Sequence, residues 1–204
     1  MKSKYHPKEA ERFTKDIAEH GMTVLRDDGL YRHLIFRAPT HSWMHWFEII
    51  TWPGALVING DMETFVFRRI EDMFAFFNHV EINPGYWAQK CVAGKTREYS
   101  EEAFKKHVNE YVSDFIKDGE LDDALAEKLR ASIEEDVFGD DRVTCNDGAH
   151  EVLAEFYSSD DFMDFEFTDT WEWDFRDWTY QYLWCCFAIV HAIRTYNASK
   201  EKKA

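Results

Sequence analysis

"WFEIITWPGALVINGD", residues 46 to 61, reads as two short strands folded about a proline–glycine turn. In the first strand Trp46, Glu48, Ile50 and Trp52 alternate with Phe47, Ile49 and Thr51, so the pleat sends the two sets to opposite faces. Pro53-Gly54 suits the central positions of a type II turn, and Asn59-Gly60 is a hairpin signal. Working outward, "LYRHLIFRA" precedes this pair and "ETFVFRR" follows it. Both are rich in β-branched and aromatic residues and are set off by turn residues. These four runs predict a four-stranded antiparallel meander over about residues 30–69.

Helical spacing surrounds it. "PKEAERFTKDIAEHG" opens with a proline suited to a first turn and predicts a helix that stops at Gly21. "IEDMFAFFNHV" puts Ile70, Met73, Phe74 and Phe77 on one side of a helix. Between about residues 100 and 158 the spacing predicts three helices. The first is capped by Ser100 and shows an apolar face of Phe104, Val108, Tyr111 and Phe115. "WTYQYLWCCFAIVHAIRTYN", within about 178–197, is apolar nearly all round and predicts a core helix packed on the sheet. No repeat or linker interrupts the chain. The reading is one α+β domain over 1–204, a meander against several helices with an acidic helical second half.

Charge narrows the function classes. Residues 101–204 hold eleven basic and twenty-six acidic side chains and carry the whole net charge of −15. Such a surface repels phosphate backbones and anionic membranes, so no direct nucleic-acid binding and no membrane association are expected. The opening segment lacks the apolar core of a signal peptide, and "YLWCCFAIVHAI" is too short to cross a bilayer. Cys91, Cys145, Cys185 and Cys186 show no zinc spacing and read as reduced thiols. The expectation is a soluble intracellular protein, with homo-oligomerisation left open.

Catalytic signatures are scarce. "AGKT" (93–96) has Gln89 where a phosphate loop needs glycine, and reads as an ordinary loop. His33, His41, His45 and Glu48 lie close in sequence without a metal-ligand pattern, and Ser42 has no nucleophile motif around it. No catalytic residue, metal or cofactor is assigned.

Two candidate surfaces remain. Glu48, on a strand with apolar residues on both faces, needs a partner, since isolated burial of a carboxylate is costly. Arg32, Arg37, Arg68 and Arg69 are the available cations. One reading is a structural Glu–Arg pair. The other is a ligand pocket of Arg32, Arg37, Trp46, Glu48, Trp52 and Arg68, in which arginine neutralises an anion and tryptophan stacks on a planar ring. The second surface is "SSDDFMDFEFTDTWEWDFRDW" (158–178), where acids alternate with rings. Its Asp160, Asp161, Asp164, Asp169, Glu172 and Asp174 either are simply solvated or imitate nucleic-acid phosphates toward a basic partner.

"HLIFRAPTHSWMHWFEIITWPGALVINGDMETFVFRRIEDMFAFF", together with "WEWDFRDWTYQYLWCCFAIVHAIRTYN", resembles a family of bacteriophage and prophage proteins of roughly 200 residues. The likeness covers about residues 30–77 and 169–197. In that pattern a glycine often follows "GDM", where this chain has Glu63. The resemblance implies a phage accessory protein acting in the host bacterial cytoplasm and assigns no residue roles. Three functions are weighed on that basis. The first is a non-enzymatic binding protein that antagonises host defence by sequestering a nucleotide-like signal. The second is an acidic, nucleic-acid-mimicking inhibitor of a basic host defence protein, such as a CRISPR effector. The third is a nucleotide hydrolase.

Overall fold

The computed structural model describes residues 3–40, 43–157 and 165–202. Their contacts divide the chain into two compact units, Met1–Thr96 with Trp178–Ala204, and Arg97–Asp177.

The first unit is built on an antiparallel sheet of six strands, wider than the four-stranded meander predicted. In chain order these are β1 (Gly21–Asp28), β2 (Tyr31–Arg37), β3 (Phe47–Trp52), β4 (Ala55–Gly60), β5 (Phe65–Arg68) and β6 (Cys91–Ala93), and each pairs with the next. The central four are the runs identified by alternation. The two added strands lie at the edges, where one side of the ladder is unpaired and the apolar signal weakens. β1 is exposed at seven of its eight positions, and β6 is three residues long. Gly21 opens β1 instead of stopping a helix. The first helix, α1 (Pro7–Asp16), ends earlier, with the buried Ile17 as its C-cap.

Turn chemistry is correct at one hairpin and displaced at the other. Gly54 has φ +84°, as the third residue of a type II turn requires, and Trp52 pairs with Ala55 across it. Asn59 and Gly60, by contrast, lie inside β4, paired with Glu48 and Phe47. The turn falls later, at Asp61–Thr64, with Glu63 at φ +76°. Gly60 serves close approach instead. A Cβ there would stand 2.2 Å from the Trp46 carbonyl oxygen and 2.8 Å from Phe47 Cα.

One face of the sheet is the core. Phe36, Phe47, Ile49, Leu56, Ile58, Phe65 and Phe67 are buried with the long helix at the C-terminal end, Tyr180–Glu201. That helix is buried over most of its length and packs on α1, β1 and β3, as its all-round apolarity predicts. Between β5 and β6 lie two short helices, α2 (Met73–Phe77) and α3 (Pro84–Ala88). Asp72 caps α2 by accepting from the Phe74 N–H, so that helix starts too late to include Ile70, which is exposed.

The second unit is mostly helical. It contains α4 (Glu101–Asp118), α5 (Asp123–Ser132) running into a π-helical turn (Ile133–Val137), and α6 (Asn146–Glu155). The Ser100 hydroxyl accepts from the Ala103 N–H, the cap the sequence predicts. Val112 joins Phe104 and Val108 in the core, while Tyr111 and Phe115 are only partly covered. Phe165, Phe167 and Phe175 fill the same core from the acidic–aromatic stretch. The C-terminal helix Tyr180–Glu201 is α7. Among the described residues no helix is long and apolar enough to cross a membrane.

Candidate functional site

The sheet separates the six residues predicted to line a pocket. Glu48 and Trp52 share the face opposite the core, where Arg68 stands across from Ala55 at the Trp52 end and Arg37 lies at the far end of β2. Trp46 precedes β3 and meets Trp43 edge-to-face, with ring centres 5.1 Å apart. Arg32 is on the other side. Its guanidinium holds Asp72 through two hydrogen bonds of 2.8 and 3.2 Å and lies over the Phe74 ring at 4.5 Å.

Nor does an arginine satisfy Glu48. His33 Nε2 donates to Glu48 Oε2 at 2.7 Å, and Asn59 Nδ2 donates to Oε1 at 2.9 Å. Thr64 completes the row by donating to Asn59 Oδ1 at 2.6 Å. The row follows from register. Asn59 is directly opposite Glu48 and His33 is its diagonal neighbour on β2. Burial of Glu48 is therefore compensated by neutral and histidine donors, and this network stabilises the face without assembling a binding cation.

The acidic alternative is similarly divided. Asp160, Asp161 and Asp164 lie outside the described residues. Asp174 accepts from Arg176 Nε at 2.7 Å and from Arg97 Nη1 at 3.3 Å, and these contacts, the Arg176 bond foremost, hold its pKa below the usual carboxylate value. Glu172 is exposed, and Asp169 has φ +56° at the start of a 3-10 turn (Thr170–Glu172). Among the described residues Phe165, Phe167 and Phe175 turn inward, whereas Trp171 is 74% exposed, so alternation holds only in part.

A concavity that sequence reasoning missed opens elsewhere in the first unit. It is a cleft of about 900 Å³ bordered by Tyr5, His6, His79, Tyr86, Trp87 and Trp178. Local sequence explains its wall. Asn83 caps α3 by accepting from the Tyr86 N–H, Pro84 takes the first helical position, and the short helix presents Tyr86 above a buried Trp87. Trp87 packs edge-on to Phe77 at 4.8 Å. The wall is pinned from α7: Arg194 Nη2 donates to the carbonyls of His79 (3.1 Å) and Val80 (2.7 Å), and Tyr182 OH donates to that of Pro84 (2.8 Å). Tyr5 is 70% exposed and Tyr86 39%, with Lys90 over the Tyr86 ring at 5.2 Å. The Trp87 indole N–H is buried and has no hydrogen-bond partner. The adjacent rings of Tyr86 and Trp87 after Pro84-Gly85 were the available signal.

The rings suit stacking on a planar group, His6 and His79 can donate to an anion beside the Glu81 carboxylate, and the volume matches a small-molecule site. Among the described residues no three His, Cys, Asp or Glu side chains are grouped as a metal ion needs. Burial pushes the Cys185 and Cys186 thiols well up, away from nucleophilic use. No family model matches the chain, and no curated protein or solved structure does either.

Proposed function

We propose that the chain is a binding protein that retains a planar, nucleotide-like small molecule in the aromatic cleft. The observation that supports this reading is the convergence of Tyr5, Tyr86, Trp87 and Trp178, from three separate segments, on one opening of about 900 Å³. A base stacked on such a ring gains about 1–3 kcal/mol, and His6 and His79 at the cleft border are suited to a phosphate nearby. In the phage setting that the resemblance implies, retention of this kind would withdraw a nucleotide signal from host defence.

The test begins with purified protein incubated in extract from phage-infected bacteria, then heated to release bound molecules for mass spectrometry. A nucleotide-like molecule, chemically unchanged and near one per chain, is expected. Tyr86→Ala should lose it and Trp52→Ala should keep it. Recovery of a cleaved product with turnover would overturn retention. Loss in Trp52→Ala and Arg68→Ala, with Tyr86→Ala unaffected, would move the site to the open sheet face.

A further inference from the structure

A second cavity of the first unit, about 350 Å³, shares no lining residue with the aromatic cleft. Lys15, Asp16, His20, Thr40, Met44 and His45 line it. Five titratable side chains, Lys15, Asp16, Glu19, His20 and His45, thus reach one opening from the end of α1, the turn before β1 and the loop before β3.

Asp16 is oriented from α7. Trp184 Nε1 donates to Asp16 Oδ2 at 3.0 Å and Tyr180 OH donates to the same oxygen at 3.2 Å. Burial first, and the Asp16 charge second, push the Tyr180 pKa up to about 12, so the phenol stays a donor. His45 Nε2 faces that oxygen at 3.8 Å. This is beyond hydrogen-bond length but within the loosened geometry that catalytic pairs show before substrate binds.

The backbone of His45 is held on both sides. Its N–H donates to Asp61 Oδ2 at 2.7 Å, and its carbonyl accepts from His20 Nε2 at 3.1 Å. These contacts keep His45 at φ +55°, in the left-handed region that is unfavourable for a residue with a Cβ. Strain of this sort persists where surrounding contacts over-determine it, and it concentrates at functional sites. His20 donates through Nε2, so Nδ1 carries the lone pair. Burial, the largest influence on that ring, lowers its pKa and keeps it neutral.

We propose that His45 is a general base for hydrolysis of a small acyl ester in this cavity, with Asp16 as its positioning residue. With Nε2–H directed at Asp16, Nδ1 of His45 is the free lone pair. It takes a proton from water, whose oxygen bonds to the acyl carbon. The carbon–oxygen bond to the alcohol then breaks, and His45 returns the proton to the departing alkoxide. Thr40 supplies a hydroxyl donor at the cavity wall for the ester carbonyl oxygen, while the Lys15 ammonium is held by Glu11 at 2.7 Å.

The probe is p-nitrophenyl acetate with the full chain. Wild type should release p-nitrophenolate with saturation. His45→Gly should lower kcat about 100-fold, within the range for losing a general base, and added imidazole should restore much of it. Glycine is chosen because φ +55° suits it, so the variant loses the ring without new backbone strain. Asp16→Asn should lower kcat while leaving KM unchanged, and Asp16→Glu should recover part of the loss. Non-saturable hydrolysis by wild type, an unchanged rate in His45→Gly, failure of imidazole to rescue it, or wild-type kcat in Asp16→Asn would each overturn the proposal.

Discussion

The two faces of the six-stranded sheet are made from the same strands, yet they differ sharply in burial. Phe36, Phe47, Ile49, Ile58 and Phe67 are at most 1% exposed beneath α1, α2 and α7. Ile35, Ile50, Val57 and Val66, one residue away along the same strands, are only half buried, and Trp52 is 40% exposed. Composition does not distinguish these two rows of apolar residues; the helical layer does. On the open face a polar row, His33–Glu48–Asn59–Thr64, runs beside the aliphatic residues, which a closed core would penalise.

Substitution at paired positions tests that contrast most strongly. Phe47→Ala should cost about 3–5 kcal/mol in urea unfolding, through lost transfer energy and the cavity left behind. Ile50→Ala should cost about 1 kcal/mol, because neighbours cover it on fewer sides. Equal losses would mean that the open face is packed as closely as the core.

An effect smaller than that of Phe47→Ala is expected at the Arg32–Asp72 pair. Burial opposes the charge on Asp72, but the hydrogen bonds from Arg32 and the Phe74 N–H outweigh it, and its pKa is lowered. A carboxylate lowered on folding contributes stability above its unfolded pKa of about 4 and loses it as pH falls through the folded value. Asp72→Asn should therefore cost about 1–2 kcal/mol at pH 7, a value already discounted for partial exposure. It should also flatten the decline of Tm on acidification. An Asp72→Asn profile that falls as steeply as wild type would remove this pair from the acid response.

Smaller still is the effect at Glu63. At φ +76° it occupies a conformation that glycine adopts without a Cβ penalty, so Glu63→Gly should stabilise the β4–β5 turn by about 1 kcal/mol. A lower Tm would show that the Glu63 side chain makes a compensating contact. The smallest expected change is Trp52→Ala, within about 0.5 kcal/mol of wild type, as for a substitution at an open surface. A larger loss would make Trp52 part of a packed layer.

Alternation within single strands was enough to establish β2 through β5, the opposite facing of Phe47 and Glu48, and the turn at Pro53-Gly54. Continuous apolarity identified α7 as the core helix. These are local properties: the pleat and the helical period act within a few residues, so a single sequence displays them. The edge strands β1 and β6 were less legible, because an exposed or three-residue strand carries little periodic signal. Only the tertiary structure decided which sheet face would be covered, that His33 and Asn59 rather than an arginine would answer Glu48, and that Gly60 would admit a close backbone rather than make a turn. The same holds for the gathering of Tyr5, Tyr86 and Trp178 at one cleft and of Asp16, His20 and His45 at another. Each of these depends on register or packing between residues far apart in the chain. A one-residue change of register would exchange the faces while leaving every local pattern intact.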